Sequence, residues 1–249
     1  MPEPRRVVAE REIEPRALAG DAADLLVIFD RGSGSEALEQ RVLRFAPGGS
    51  GQLGPDEREE ALFVVRGRGR LGQEGSSHEL EPETAFCIVP GASYQVENIG
   101  SGELALASVL VPAAGGGAEG DTTIRRLADQ EARDATSDRE FRILLEPESG
   151  LSGATQFVGY IPTKRAPEHY HPYDEVIYVL HGEGLLHVDD EHTPIGPGSC
   201  IHLSPELRHC LENTGGGDMR VLGVFRPAGD PSEAYLPDGT RAYVAEEER

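Results

Sequence analysis

The hydrophobic positions of this chain come in short runs, not in a helical rhythm. VIYVL from Val176, GLLHV from Gly184 and SCIHL from Ser199 are rich in β-branched and aromatic residues, and each is bounded by Gly, Pro, Asp or Ser. Such residues fit a pleated surface, and the small or kinked residues between them end one strand and turn the chain into the next. Many short strands of this kind build a sandwich or a barrel. One segment departs from the pattern: RRLADQEARD, residues 125–134, reads as an amphipathic helix of about two or three turns. The expectation is an all-β protein with short helical segments.

The pattern also repeats. A shift of 115 residues lays EVIYVLHGEG (175–184) on EALFVVRGRG (60–69), SPELRHCLEN (204–213) on VPGASYQVEN (89–98), and Pro162 on Pro47. A register held across separate segments means two copies of one fold. The join falls in PAAGGGAEGDT (112–122), a Gly/Ala-rich acidic stretch that reads as a flexible linker. The predicted organisation is an N-terminal barrel over 1–111, a linker over 112–124 and a C-terminal barrel over 125–249. At 249 residues the chain is long enough for two small domains, each with its own core.

Charge narrows the partners. Asp and Glu number 44 against 23 Lys and Arg, a formal charge of −21. So acidic a surface repels phosphate backbones and anionic lipids, so neither nucleic acid nor membrane is expected as a partner. The N-terminus lacks the apolar stretch of a secretory signal, and no run approaches the roughly 20 apolar residues of a membrane span. Cys87, Cys200 and Cys210 form no CxxC pair and read as free thiols, although Cys200 and Cys210 flank an expected hairpin. Together these features lead us to expect a cytoplasmic protein. Neither a GxSxG nucleophile elbow nor a GxxxxGK[ST] phosphate loop occurs.

The candidate chemistry lies in PEHYHPYDEVIYVLHGEG, from Pro167. His169 and His171 are two apart, so on an extended segment both rings project to the same side. Glu175 follows after a short bend, and His209 lies beyond the next hairpin. Three imidazoles and a carboxylate converging in a barrel suit a first-row divalent metal and leave about two positions open. Lys164 and Arg165, just before the ligand segment, are candidate cations for a substrate carboxylate. Tyr160, Gln156 and His202 lie on strands expected to line or back the cavity. Tyr170, between two ligands, should point away from the metal, and His181, His187 and His192 match no ligand position. In the first copy the ligand positions become Gly54, Asp56, Glu60 and Tyr94, with no imidazole among them. Asp56, Glu59 and Glu60 form at best a weak oxygen site, and the first barrel is expected to be structural.

These residues resemble the cupin superfamily. Its first motif is matched from His169 through Glu175 to Gly182. Its second is matched by Gly198, Pro205, His209 and Asn213, with Leu207 where the family often carries glycine. The resemblance covers both halves, a bicupin, and implies two tandem jelly-roll barrels with the metal ligands His169, His171, Glu175 and His209. It further implies one divalent transition metal per chain, Mn or Fe favoured, with Zn, Ni, Co and Cu also compatible with the donor set. The first function this suggests is a metal-dependent dioxygenase acting on a small carboxylate- or enol-type substrate, with Glu175 also able to act as a base. The alternatives are a non-redox hydrolase or isomerase, similar to the ureidoglycine aminohydrolase bicupins, and a non-enzymatic metal- or ligand-binding cupin. A homodimer is the expected assembly.

Overall fold

The computed structural model describes residues 5–18, 23–115, 122–135 and 138–242. The two halves repeat one architecture, each with a seven-stranded sheet facing a smaller one. In the N-terminal half the large sheet runs in the order Ile124–Arg126, Thr84–Ile88, Arg58–Arg66, Leu104–Pro112, Glu39–Phe45, Ala23–Phe29, Arg16–Ala17. The C-terminal order is Val7–Ala9, Ser199–Leu203, Asp174–His181, Met219–Arg226, Thr155–Ile161, Glu140–Leu145, Arg133–Asp134. Every named strand pair is antiparallel, as the short runs and turn residues require.

The outermost strand of each large sheet comes from the other half. Val7–Ala9 pairs with Ser199–Leu203, and Ile124–Arg126 pairs with Thr84–Ile88. The two halves thus exchange edge strands, each covering a row of backbone groups that would otherwise lie open. The helix predicted over 125–134 does not form. Its first residues are the exchanged strand, followed by a single 3-10 turn at Leu127–Asp129 and a short strand at Arg133–Asp134. Leu127 is buried and its N–H donates to the Glu83 carbonyl at 3.0 Å, while Arg142 donates to the Gln130 carbonyl. Pairing and burial outweigh a local preference of a few tenths of a kcal/mol per residue.

Three cores follow from the alternation of side chains along these strands. In Asp174–His181, Ile177 and Val179 face the C-terminal barrel interior, while Val176 and Tyr178 face the other way. In Arg58–Arg66, Leu62 and Val64 point into the N-terminal barrel, while Ala61 and Phe63 point out. The outward sets of the two large sheets pack on each other, so strands buried on both faces read as continuous apolar runs. Most of the linker, residues 116–121, lies outside the described residues. The three cysteines are free and buried. Cys200 and Cys210 belong to different sheets and do not face each other across a hairpin. Among the described residues no helix is long and apolar enough to cross a membrane.

Candidate metal centre

The ligand segment is held by backbone pairing. His169 bridges His209, with the His169 N–H donating to the His209 carbonyl at 3.1 Å and the reverse bond at 2.9 Å. Tyr170 makes the same reciprocal pairing with Tyr235. Extended backbone therefore directs His169 and His171 inward and Tyr170 outward, where its ring stacks on Tyr235. The ring centroids of His169, His171 and His209 lie 4.7–5.3 Å apart, and one nitrogen from each falls within 4.8 Å of the other two.

Backbone carbonyls select which nitrogen that is. His169 Nδ1 meets Pro167 O at 3.0 Å, His209 Nδ1 meets Leu207 O at 2.9 Å, and His171 Nδ1 meets Glu233 O at 2.8 Å. A carbonyl can only accept, so each Nδ1 carries the proton and each Nε2 keeps its lone pair for the centre. Burial lowers the pKa of all three rings, that of His171 to about 3, and repulsion from the neighbouring rings adds to the effect at His171 and His209. Neutral imidazoles are the form a metal needs. Glu175 lines the same cavity, buried, with its pKa raised to about 8 by burial and by Asp174. No donor among the described residues offsets that burial, so the carboxylate lacks a counter-charge that a cation would supply. Three neutral nitrogen donors and one unneutralised carboxylate fit a borderline divalent ion.

The cavity above this cluster holds about 90 Å³ and opens to solvent at its mouth, a small site beside the roughly 300–1,000 Å³ of drug-sized ligand pockets. Its walls are mainly apolar, among them Phe141, Phe157, Ile161, Ile177 and Val221. The Cupin domain model matches residues 41–110 and 156–225, one match in each barrel and more than half of the chain. The chain belongs to the cupin family. Among curated relatives, protein SchB of Streptomyces halstedii is 35% identical over 99 residues, which is 36% of this chain and 70% of SchB. The tetracenomycin polyketide synthase protein TcmJ of Streptomyces glaucescens is 33% identical over 90 residues, 34% of this chain and 60% of TcmJ. Among solved structures, protein Ylba from E. coli superposes with a TM-score of 0.75 at 13% identity, covering 88% of this chain and 89% of that one. Oxalate decarboxylase of Bacillus subtilis, whose Mn(II) centres have been studied, gives 0.71 at 14% identity, with 91% and 78% covered. These likenesses establish the tandem cupin fold.

The two cupin barrels treat equivalent positions in opposite ways. Glu60 is the counterpart of Glu175, and Tyr94 stands at the position of His209. In the first barrel Arg41 Nη2 lies 2.5 Å from Glu60 Oε1, Ser108 Oγ donates to the same oxygen at 2.6 Å, and Tyr94 Oη donates to Oε2 at 3.1 Å. Arg41 is a cross-strand neighbour of Ser108, and in the second barrel the corresponding pair is Phe157 and Gly223. The guanidinium and hydroxyl that neutralise one carboxylate are thus replaced by a ring and a hydrogen at the other. A Cβ at Gly223 would run into the Phe157 ring and sit 3.0 Å from Glu175 Oε1. Asp56, Glu59 and Glu60 do not converge: Asp56 occupies an exposed turn, and Glu59 faces the other half of the chain.

Several predicted substrate residues are elsewhere. Lys164 pairs with Asp138 and Arg165 with Glu168, all outside the cavity lining. Gln156 is wholly buried beside Val158 and Val224 on the face between barrels, its amide unpartnered. His202 lies on that face too, 2.8 Å from Asp174 and against the Phe29 ring. A one-residue difference in phase along a strand decides which face a side chain meets, and sequence alone does not fix it. Of the five, Tyr160 lines the cavity. The glycine-like turn position is Glu206, with φ 63°, and not Leu207. Its counterpart one repeat earlier is Gly91, with φ 74°. His187 bonds His192 through one ring nitrogen and Glu212 through the other, away from the cluster. Arg139 was missed altogether: it lines the cavity beside the three imidazoles, 30 residues before the first ligand in sequence.

Proposed function

We propose that this cupin is a divalent-metal-dependent enzyme, with iron or manganese held by His169, His171, Glu175 and His209, and that it acts as a dioxygenase on a small carboxylate- or enol-type substrate. The observation that supports this most directly is the convergence of three imidazoles whose outer nitrogens are all spent on backbone carbonyls, beside a carboxylate with no counter-charge. When bound, such a metal polarises a coordinated oxygen and exchanges electrons with dioxygen. The residues supply the rest. The carbonyls of Pro167, Leu207 and Glu233 fix the ring orientations, and the apolar walls exclude water from the bound substrate. Glu175, on the cavity wall, is able to take a proton from an enol or phenol. The polyketide synthase setting in TcmJ's name favours an enolic or phenolic substrate with an apolar body.

The test is an oxygen-electrode trace on the metal-loaded protein with a panel of phenols, β-diketones and small aromatic acids. Substrate-dependent oxygen uptake, abolished in His171→Ala, is the expected result. Turnover of a panel member without oxygen uptake would replace the dioxygenase reading with a non-redox one at the same centre.

A further inference from the structure

Arg139 is a half-buried cation with no acidic partner among the described residues. It is set just before the Glu140–Leu145 strand and lines the cavity over the histidine cluster. Its Nη2 donates to the Leu211 carbonyl at 2.6 Å, and its Nε is buried with no partner. No carboxylate among the described residues forms an ion pair with it, in a chain with 44 acidic side chains against 23 basic ones. It lines the same cavity as all three imidazoles. The other barrel shows the alternative: Arg41, also half-buried, sits on Glu60. A guanidinium whose Nε is taken out of water and left unpaired is costly unless an anion meets the group.

We infer that Arg139 receives the anionic group of the substrate, so that the cavity selects a monoanionic carboxylate carrying a small apolar body. This rests on the enzymatic reading above and adds the group that orients the substrate. A planar guanidinium matches a carboxylate edge and charge together. Arg139 is the one cation among the described residues lining this mainly apolar cavity, which Glu140 and Glu175 also line, so the site suits one negative charge and not a phosphate-rich ligand. Phe141, Phe157, Ile177 and Val221 provide the surface for the body.

The experiment compares benzoate with benzamide, which match in shape and differ in charge, by isothermal titration of the full chain in metal-loaded and metal-stripped forms. The stripped form matters because a carboxylate can also reach the metal. In that form the wild type should prefer benzoate by about tenfold or more, Arg139→Gln should abolish the preference, and Arg139→Lys should restore part of it. Benzamide affinity and metal content should stay unchanged in both variants, which separates lost charge recognition from a disturbed fold. Equal affinities for the two probes in stripped wild type, or a preference that survives Arg139→Gln, would overturn the inference. A chain that binds no metal yet keeps the Arg139-dependent preference would sink the metalloenzyme reading and leave Arg139 standing. Metal binding without charge preference would do the reverse.

Discussion

At the scale of single residues, the contrast between Glu60 and Glu175 explains how one fold yields a packed barrel and an open one. Glu60 has a cation and two hydroxyls, and Glu175 has a cavity. Arg41→Met should cost about 3–5 kcal/mol, because it leaves Glu60 buried without its cation. Tyr94→Ala should cost about 3 kcal/mol through the void and the lost hydrogen bond, without changing metal content. Both are read by denaturant unfolding. The clustering of the histidines beside Glu175 was legible because the HxHxxxE spacing is local and backbone geometry carries it into space. Arg139 was not, because its approach to the cluster is set by how the Glu140–Leu145 strand lies in the sheet, not by any nearby motif. Lys164 and Arg165 illustrate the converse: closeness in sequence to the ligands did not bring them to the cavity, and acidic neighbours hold them outside.

At the scale of elements, the exchanged edge strands carry the argument. Val8 is 7% exposed and sits in the core shared by the two sheets, although it lies almost at the start of the chain. Val8→Asp should lower stability by about 2–4 kcal/mol, since it buries a charge in an apolar contact. The same change at Arg5, a mostly exposed side chain, should be nearly silent. Thermal unfolding of the two variants checks this, and equal midpoints would contradict the role given to the exchanged strand. The strands were legible from their alternation and turn residues. The exchange was not, because three-residue strands such as Val7–Ala9 and Ile124–Arg126 are too short to show a period. The expected helix over 125–134 failed for the same reason: its fate is decided by the open edge of Thr84–Ile88, a long-range partner.

At the scale of the whole molecule, the halves are bound by more than apolar contact. Glu59 accepts from Ser152 N at 3.1 Å, Ser152 Oγ at 2.5 Å and Gly153 N at 3.0 Å, and Gln40 donates to the Ile177 carbonyl at 3.1 Å. Asp174, the counterpart of Glu59, pairs instead with His202. The repeat itself could be read from the 115-residue register, whereas these polar contacts depend on the packing of two sheets that no local pattern encodes. One barrel completes its own charge balance, and the other leaves three neutral imidazoles and a carboxylate facing a cavity. The proposed function therefore requires one metal per chain, in the C-terminal barrel. Elemental analysis of the protein as purified, beside His171→Ala and Tyr94→Ala, tests this directly. One equivalent of a first-row divalent metal in the wild type and in Tyr94→Ala, with little in His171→Ala, is the predicted result. A wild type that holds no metal even after reconstitution, or a His171→Ala variant that keeps its full equivalent, would contradict it.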